Sequence, residues 1–230
     1  MAISEGPAPA ASGDRTPLLM LVGLATGATL LFLTLKLGSE ILEGEGTGLD
    51  RALMLALRVP GHPEMPIGPA WLRRAMLGIT NFGGGIQLTA LVAFAAGLLI
   101  IRGARRIALL LVLATSSGGI LVALLKSQFA RPRPALVDHL VQVQSASFPS
   151  GHAANSAMVF LTLGALLMRV ETTHAERLYT FSVAIVLTIA VGISRVYLGV
   201  HWPSDVAGGW MLGAGWALLW WILAAATSRN

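Results

Sequence analysis

The sequence predicts an all-α integral membrane protein, a bundle of six transmembrane helices with an interfacial helix in the first outer loop. Apolar residues make up 55% of the 230 residues and charged residues 12%, and the mean hydropathy is +0.73. A soluble domain carries about 25% charged residues. Backbone N–H and C=O groups cannot be left unpaired in lipid, so helices are the natural form for the apolar segments of this sequence.

The helices follow in chain order after a short polar segment. Residues 1–16 are small, polar and contain proline, which predicts a flexible tail before a single membrane domain at residues 17–230. Six apolar segments come next, each near the roughly 20 residues needed to cross a bilayer. They are residues 18–37, 75–101, 107–125, 153–168, 179–200 and 206–226. The first is too long for most signal-peptide cores, so we expect it to remain as a helix.

A polar connection, residues 39–74, joins the first two spans. Its charged residues include Glu40, Glu43, Glu45, Asp50, Arg51 and Arg58. Residues 49–59 have apolar side chains at helical spacing, which predicts a short helix lying on the membrane interface. Prolines at positions 60, 63, 66 and 69 break the segment that follows.

Six crossings place both termini on one side, together with the loop 102–106 and the loop that holds Arg169 and Arg177. The positive-inside rule makes that side the cytoplasm, although Arg73 and Arg74 lie on the opposite side. Residues 126–152 and 194–205 then both lie at the outer face of the plasma membrane, where they can meet.

Composition also excludes several classes of site. The sequence has no cysteine, which excludes disulfides, thiol catalysis and thiolate metal sites. Its net charge is +5, but the basic residues are dispersed between apolar spans and form no continuous patch. This distribution favours anionic lipid headgroups over nucleic acid as the partner. We expect no obligate protein partner.

The first polar cluster follows the third span and contains Lys126, Arg131 and Arg133. Pro132 and Pro134 hold the run out of helical geometry, and residues two apart in an extended run face the same way. Arginine binds two phosphate oxygens at once through its planar fork. Two interpretations stay open, namely phosphate binding and cations that snorkel to the headgroup boundary.

The second cluster, Pro149-Ser150-Gly151-His152, stands immediately before an apolar span. Ser150 is a candidate N-cap, Gly151 permits close approach of the backbone, and free N–H groups at a helix start bind anions. The alternative is an ordinary capped helix start with an incidental histidine.

The third cluster brings Arg195, His201 and Asp205 into an otherwise apolar region. Ionisable residues are costly in a membrane chain and mark functional sites. If the final helix begins near His201, the spacing of four places His201 and Asp205 on one face. The carboxylate then holds one imidazole nitrogen and leaves the other free to attack. A structural His–Asp pair with a snorkelling arginine is the competing explanation.

Together the three clusters place two histidines, at least three cations and a helix N-terminus at one membrane face. The carboxylates expected nearby are Asp205 and Asp138, which are too few oxygen ligands for a divalent cation. A phosphate site without a metal or other cofactor fits better.

The three clusters resemble the signature of the type-2 phosphatidic acid phosphatase family of membrane lipid phosphatases. The matching residues are Lys126-x6-Arg133-Pro134, Pro149-Ser150-Gly151-His152 and Ser194-Arg195-x5-His201-x3-Asp205. The motifs cover the second half of the chain, and six spans fit the bacterial members of the family.

The resemblance implies a role for each matched residue. His201 is the expected nucleophile, which forms a phosphohistidine, Asp205 orients it, and His152 protonates the leaving oxygen and then activates water. The phosphoryl oxygens are expected to be held by Lys126, Arg133, Ser150, Gly151 and Arg195. Arg131 lies outside the signature and is expected to help. His139 and Asp138 are expected at the rim, and His62 and His174 have no expected partner.

The expected activity is metal-independent hydrolysis of a lipid phosphate or diphosphate at the outer leaflet. Undecaprenyl diphosphate, phosphatidylglycerophosphate and phosphatidic acid are the candidate substrates, with the first preferred because small six-helix members resemble recycling enzymes. A lipid A phosphatase or a lipid phosphotransferase with the same site is an alternative. A lipid-binding membrane protein without catalysis is an alternative of another class, and a haloperoxidase is disfavoured by the six spans.

Overall fold

A computed structural model of the chain describes residues 16–44, 47–168 and 171–227. Its elements in chain order are α1 (Thr16–Leu42), α2 (Thr47–Leu55), β1 (Arg58–Val59), β2 (His62–Pro66), α3 (Ala70–Asn81), α4 (Gly85–Ile101), α5 (Arg105–Phe129), α6 (Gly151–Leu167), α7 (His174–Tyr197) and α8 (Pro203–Thr227). The predicted tail lies outside the described residues apart from Thr16, and so do Glu45 and Arg169.

Helices dominate the described residues, but the expectation of an all-α protein is wrong in one segment. Strands β1 and β2 form a small antiparallel hairpin in the first connection. The helix expected over residues 49–59 runs instead from Thr47 to Leu55. It ends there because Arg58 and Val59 pair with β2, and Gly61 makes the turn with a φ of 81° that glycine adopts without strain.

The second predicted span is a broken helix. α3 and α4 meet at an angle of 49°, and Phe82, Gly83 and Gly84 lie between them. A side chain at Gly83 would collide with Val191 and come within 3.3 Å of His152. The break therefore brings backbone against the start of α6, a position that a larger residue could not occupy.

Four helices of the described residues are long and apolar enough to cross a membrane, and the bent α3–α4 pair makes a fifth if it counts as one span. They are α1, α5, α7 and α8. The predicted fourth span, α6, is apolar but has 17 residues. The outward residues of the long apolar helices are themselves apolar, as Leu18, Leu21 and Phe32 of α1 show, each more than 60% exposed. The chain is thus a multi-pass membrane protein, and the sixth crossing stays a prediction.

Small residues let α6 pack at the centre of the bundle against α7 and α8. Ala153, Ala154 and Ala157 of α6 are fully buried, and Gly209 and Gly213 of α8 face them. Small residues at a helix interface allow two backbones to approach closely in lipid, where van der Waals packing replaces the hydrophobic effect. The close packing fixes the start of α6 against the start of α8.

We expect Gly213→Ala to destabilise the bundle. The added Cβ would lie 2.5 Å from Cβ of Ala157 and would also collide with the carbonyl oxygen of Ala154, so α6 and α8 must separate at a cost of about 1–3 kcal/mol. The matched control is Gly119→Ala, where the added atom meets nothing within 4 Å. Thermal unfolding in detergent should show a lower melting temperature for the first variant. Equal melting temperatures would contradict the close packing.

Two chain reversals bring the three clusters to one end of the bundle, which we call the site end. Helix α5 stops at Phe129 because Ala130 takes a left-handed conformation with φ 43° and Pro132 follows. Gly199, with φ 78°, makes the turn between α7 and α8. The final helix begins at Pro203, so the expectation that His201 lies in its first turn is wrong. His201 stands in the turn just before it.

Candidate active site

Backbone hydrogen bonds tie the three clusters together at the site end. Ser147 N–H donates to the carbonyl of Arg131 at 2.8 Å, and Ser150 N–H donates to the carbonyl of Asp205 at 2.9 Å. The first bond closes the loop after α5 on itself. The second joins the start of α6 to the start of α8, so the clusters form one continuous site.

His201 and Asp205 form the buried pair that the sequence predicts. His201 is 2% exposed and Asp205 is 0% exposed, and Nδ1 of the imidazole lies 3.3 Å from Oδ2 of the carboxylate. The same oxygen accepts hydrogen bonds from the Ser147 hydroxyl and, at 2.9 Å, from Trp202 N–H. These donors fix the carboxylate, which in turn fixes the imidazole.

The free nitrogen of His201 faces Arg133. Nη1 of Arg133 lies 3.3 Å from Nε2 of His201, and the guanidinium is held by the carbonyls of Val200 at 2.5 Å and Ser145 at 2.7 Å. Because a guanidinium only donates, Nε2 presents its lone pair and Nδ1 carries the proton. Burial lowers the pKa of His201 to about 4, against the opposing effect of Asp205. The imidazole is therefore neutral at pH 7.

Lys126 and Gly151 lie next to each other on the same side of the site. The Lys126 ammonium donates to the carbonyl of Ala146 at 2.5 Å, and its Cε would lie 3.6 Å from a Cβ placed on Gly151. The lysine side chain thus passes over the first residue of α6. Burial lowers the pKa of the nearby Arg133, and the negative charge of Asp205 opposes this effect.

Two buried polar atoms at the site have no hydrogen-bond partner among the described residues. One is Nε of Arg195, whose Nη1 donates to the Thr80 hydroxyl at 2.8 Å, and the other is Oγ of Ser150. Ser150 is the N-cap of α6 as predicted, but its side chain makes no cap hydrogen bond. Buried polar groups are almost always paired. An oxyanion at this position would pair both.

His152 lies half buried in the first turn of α6. Its ring lies beside Gly83 at the break between α3 and α4, where a Cβ placed on the glycine would come within 3.3 Å of Cδ2 of the ring. Within the described part of the chain the ring makes no hydrogen bond, so both nitrogens are available to a ligand.

Arg131 does not point where the sequence predicts. The extended run was expected to aim Arg131 and Arg133 at one target, yet Arg131 lies behind Asp205, with Nη1 2.5 Å from Oδ1 of Asp205 and Nη2 2.8 Å from Oδ2 of Asp50. Its guanidinium also lies over the Trp202 ring, 5.4 Å from the centroid. These partners occupy the fork that a phosphate would need.

Sequence reasoning missed three residues of the site, namely Asp50, Ser147 and Thr80. The expectation that Asp205 and Asp138 are the nearby carboxylates is wrong, because the carboxylate of Asp50 binds Arg131. The one available signal was an aspartate inside the amphipathic segment 49–59. Thr80 lay hidden in an apolar span and Ser147 in an irregular loop.

The outlying histidines take other positions. His139 Nε2 lies 2.7 Å from the carbonyl of Pro134, and Asp138 is exposed, both in the loop between α5 and α6. His62 was expected to lack a partner, but its Nδ1 lies 3.0 Å from Oε1 of Glu64 on the hairpin. His174 is exposed at the start of α7, away from the site end.

The described residues offer no group of three His, Asp or Glu side chains arranged to hold a metal ion. A separate cavity of about 400 Å³ lies between α5, α6 and α8. Its walls are mainly apolar, with Arg106 and Thr162 among the polar side chains. It lacks the convergent cations of the site end, so we assign no phosphate chemistry to it.

Comparison with known proteins identifies the family. Residues 106–229 match the model of the PAP2 superfamily. Phosphatidylglycerophosphatase B of Bacillus subtilis is 37% identical over 147 residues, which cover 62% of this chain and 70% of that protein. An undecaprenyl-diphosphatase of Sulfolobus acidocaldarius is 37% identical over 68 residues, which cover 30% of this chain and 29% of that protein.

A solved structure agrees with these matches. The crystal structure of a transmembrane PAP2-type phosphatidylglycerolphosphate phosphatase from Bacillus subtilis superimposes with a TM-score of 0.78 at 30% identity. The superposition covers 89% of this chain and 98% of that one. The resemblance stated from the three motifs is confirmed: the chain belongs to the PAP2 superfamily.

Proposed function

We propose that this protein is an integral membrane phosphatase that hydrolyses a lipid phosphate or diphosphate through a phosphohistidine on His201. One observation carries the proposal. The imidazole is held at Nδ1 by Asp205, 3.3 Å away, while its unprotonated Nε2 faces the guanidinium of Arg133 at the same distance. A nucleophile oriented by a carboxylate beside a phosphate-binding cation is the arrangement that covalent phosphoryl transfer requires.

In the first step Nε2 of His201 attacks phosphorus and the bond from phosphorus to the lipid oxygen breaks. His152 gives its proton to that oxygen, which leaves as an alcohol or a shorter phosphate. Asp205 stabilises the positive charge that His201 acquires, because Nδ1 keeps its proton next to the carboxylate. The ring of His152 makes no hydrogen bond within the described residues, which supports this role.

In the second step the neutral His152 takes a proton from water, whose oxygen attacks phosphorus. The phosphorus–nitrogen bond breaks, inorganic phosphate leaves and His201 returns to its neutral form. The reverse use of one histidine as acid and then as base follows from microscopic reversibility.

The phosphoryl oxygens are held by Lys126, Arg133, Ser150, Gly151 and Arg195 in this proposal. The orphaned Nε of Arg195 and Oγ of Ser150 support it, and so does the free N–H at the start of α6, where the helix dipole favours an anion. Three cations match the charge of a phosphate without a metal ion, so we propose metal-independent hydrolysis.

We further propose six crossings with the site end facing the exterior of the plasma membrane. Helix α6 packs against α5, α7 and α8, and its 17 residues span about 25 Å at 1.5 Å per residue. The bent pair α3–α4 supplies the remaining crossing. Arg102, Arg105 and Arg106 then lie on the cytoplasmic side. Helix α2 lies on the outer interface, above the site, and residues 17–230 form one domain.

Cysteine labelling tests this orientation cleanly, because the sequence has no cysteine of its own. Ala135→Cys in the exposed loop of the site end should react with a membrane-impermeant maleimide added to intact cells. Ala175→Cys, exposed at the opposite end of the bundle, should react after the membrane is opened. The reverse pattern would place the site in the cytoplasm.

Phosphatidylglycerophosphate is the first substrate to test. The relative that carries this activity in its name matches 62% of the chain, whereas the undecaprenyl-diphosphatase matches 30%. This order reverses the preference drawn from the sequence. Transfer of the phosphoryl group to another lipid, or action on lipid A, uses the same site with a different acceptor or substrate.

A panel of lipid phosphates tests the proposed function. Purified protein in detergent should release phosphate from phosphatidylglycerophosphate, undecaprenyl diphosphate or phosphatidic acid, and chelator should leave the rate unchanged. A protein that binds these lipids and releases phosphate from none of them would be a lipid-binding protein without catalysis. Loss of turnover in chelator, restored by a metal, would contradict the metal-free site.

A further inference from the structure

Three buried charged side chains lie in a row directly behind the proposed nucleophile. Asp50 of α2 is 3% exposed, Arg131 is 7% exposed and Asp205 is 0% exposed. Arg131 lies between the two carboxylates, 2.8 Å from Asp50 and 2.5 Å from Asp205. Asp50 belongs to none of the three motifs and lies 155 positions before Asp205 in the chain.

We infer that Asp50 is a positioning residue of this site, which acts through Arg131 and Asp205 to keep His201 oriented and nucleophilic. The inference rests on the proposed function. It gives helix α2 of the first connection a part in the chemistry, although the side chain of Asp50 does not touch the reacting atoms.

The net charge of these three buried side chains supports this role. A lone Arg131 would neutralise Asp205, and a neutralised carboxylate gives little support to a positive charge on His201. Asp50 supplies the second negative charge, so the group of Asp50, Arg131 and Asp205 keeps a net charge of −1 beside the imidazole. Charges buried at this depth are weakly screened by salt.

Hydrogen bonds show that Asp50 also fixes the start of α8. Its Oδ1 accepts from Ser204 N–H at 2.9 Å, and its Oδ2 accepts from the Ser204 hydroxyl at 2.5 Å. The free N–H groups of a helix start are a favourable place for a carboxylate. The Ser204 hydroxyl also accepts from Arg131 at 2.8 Å. Asp50 thus holds both Arg131 and the turn that carries His201.

The charged and titratable groups around His201 set the sign of the expected effects. The loop after α5 contributes Arg131 and Arg133. Four helices contribute one group each, namely Lys126 of α5, His152 of α6, Arg195 of α7 and Asp205 of α8. Burial, Arg133 and Lys126 lower the pKa of His201, and Asp205 raises it. A change that weakens the negative charge of Asp205 lowers this pKa, and a change that strengthens it raises this pKa.

The pH dependence of the two charge variants should therefore shift in opposite directions. In Asp50→Asn, Arg131 is left with Asp205 alone, so the pKa of His201 should fall. The acid limb of the pH profile of kcat/KM, where His201 loses its proton, should therefore move to lower pH. In Arg131→Gln both carboxylates are left without their cation, so the limb should move to higher pH. The double variant should return toward the parent limb. Turnover in Asp50→Asn should fall on the order of tenfold, as when an outer partner of a reacting group is lost.

Glu40→Gln is the matched control, because Glu40 is a partly exposed carboxylate of α1 that lies 3.6 Å from Lys36 and should leave the limb in place. Asp50→Glu, which keeps the charge, should recover the parent limb even if its turnover is reduced. Where the neutral variants do not fold, Asp50→Glu and Arg131→Lys give the comparison. Shifts in one direction for both neutral variants, or lost turnover with an unmoved limb, would show that Asp50 is merely structural.

Titration of the His201 imidazole by NMR, in full-length protein with ¹³C-labelled histidine, measures the same shifts without turnover. His201→Ala identifies the signal. If the parent protein releases phosphate from no lipid, the proposed function fails, yet the NMR shifts still decide whether Asp50 acts on His201. If the parent is active and the signal does not move in Asp50→Asn or Arg131→Gln, this inference alone is overturned.

Discussion

We expect His201→Ala to lose phosphate release by a factor of about 10⁴ or more, because the variant has no group to receive the phosphoryl. The side chain is buried, and its Nδ1 is held by Asp205 while Nε2 faces Arg133. Binding of the lipid should change far less than turnover, since the cations remain. Initial rates and lipid affinity measured on the same preparation separate the two effects.

His62→Ala is the matched control for this variant. His62 lies exposed on the hairpin and pairs with Glu64, so its loss should leave the rate near that of the parent. Equal melting temperatures would exclude unfolding as the cause of a lost rate. Full activity of His201→Ala would place the nucleophile elsewhere in the chain.

We expect the second largest effect from His152→Ala, with a size that depends on the leaving group. A general acid contributes roughly 10²–10⁴-fold, and that contribution matters most when the leaving oxygen is a poor leaving group. An alkoxide leaving group should therefore show the full loss, and nitrophenolate a much smaller one. The His152 ring lies beside the break at Gly83 and makes no hydrogen bond among the described residues, which is consistent with the proposed role as general acid.

The ratio of the two losses is the informative quantity. Equal losses with the alkoxide and the nitrophenolate substrates would show that His152 binds or supports the site without donating a proton. His139→Ala is the control here, since His139 contacts Pro134 in the loop and should lower neither rate by a comparable factor.

The convergence of the three motifs could be predicted from the sequence because each motif lies at the end of an apolar span. Once the spans are counted, the ends that share a membrane face follow. The i,i+4 spacing of His201 and Asp205 likewise predicted their contact, although the contact forms through a turn before α8 and not within its first turn. Most of the site could therefore be predicted from the spacing of neighbouring residues and from the number of times the chain reverses direction.

The partners of Arg131 and Arg195 could not be predicted, because they come from distant parts of the chain. Asp50 reaches Arg131 through the packing of α2 over the site, and Thr80 reaches Arg195 through the end of α3. Neither contact has a sequence spacing that constrains it. The same holds for the break at Gly83, where glycine is required by close approach of α6 and α7 and not by any local pattern.

The bounds of α6 agree closely with the predicted span 153–168, but hydropathy alone did not show whether this helix crosses the membrane. Its 17 residues are mainly apolar and show no strong one-sided pattern, so periodicity does not distinguish a helix packed within the bundle from a lipid-facing one. The hairpin at Arg58–Val59 was hidden for a related reason, since two short strands leave too few residues for an alternating pattern to emerge.

Isolation of the phosphorylated enzyme tests the central claim most directly. In His152→Ala, nitrophenyl phosphate can still phosphorylate His201, while the second step is slow because no base activates water. Alkaline quenching, which preserves phosphohistidine, followed by peptide mass mapping should find phosphate on His201, with a burst of nitrophenolate equal to the enzyme concentration. Phosphate on another residue, or linear nitrophenolate release without a phosphorylated His201 peptide, would contradict the proposed mechanism.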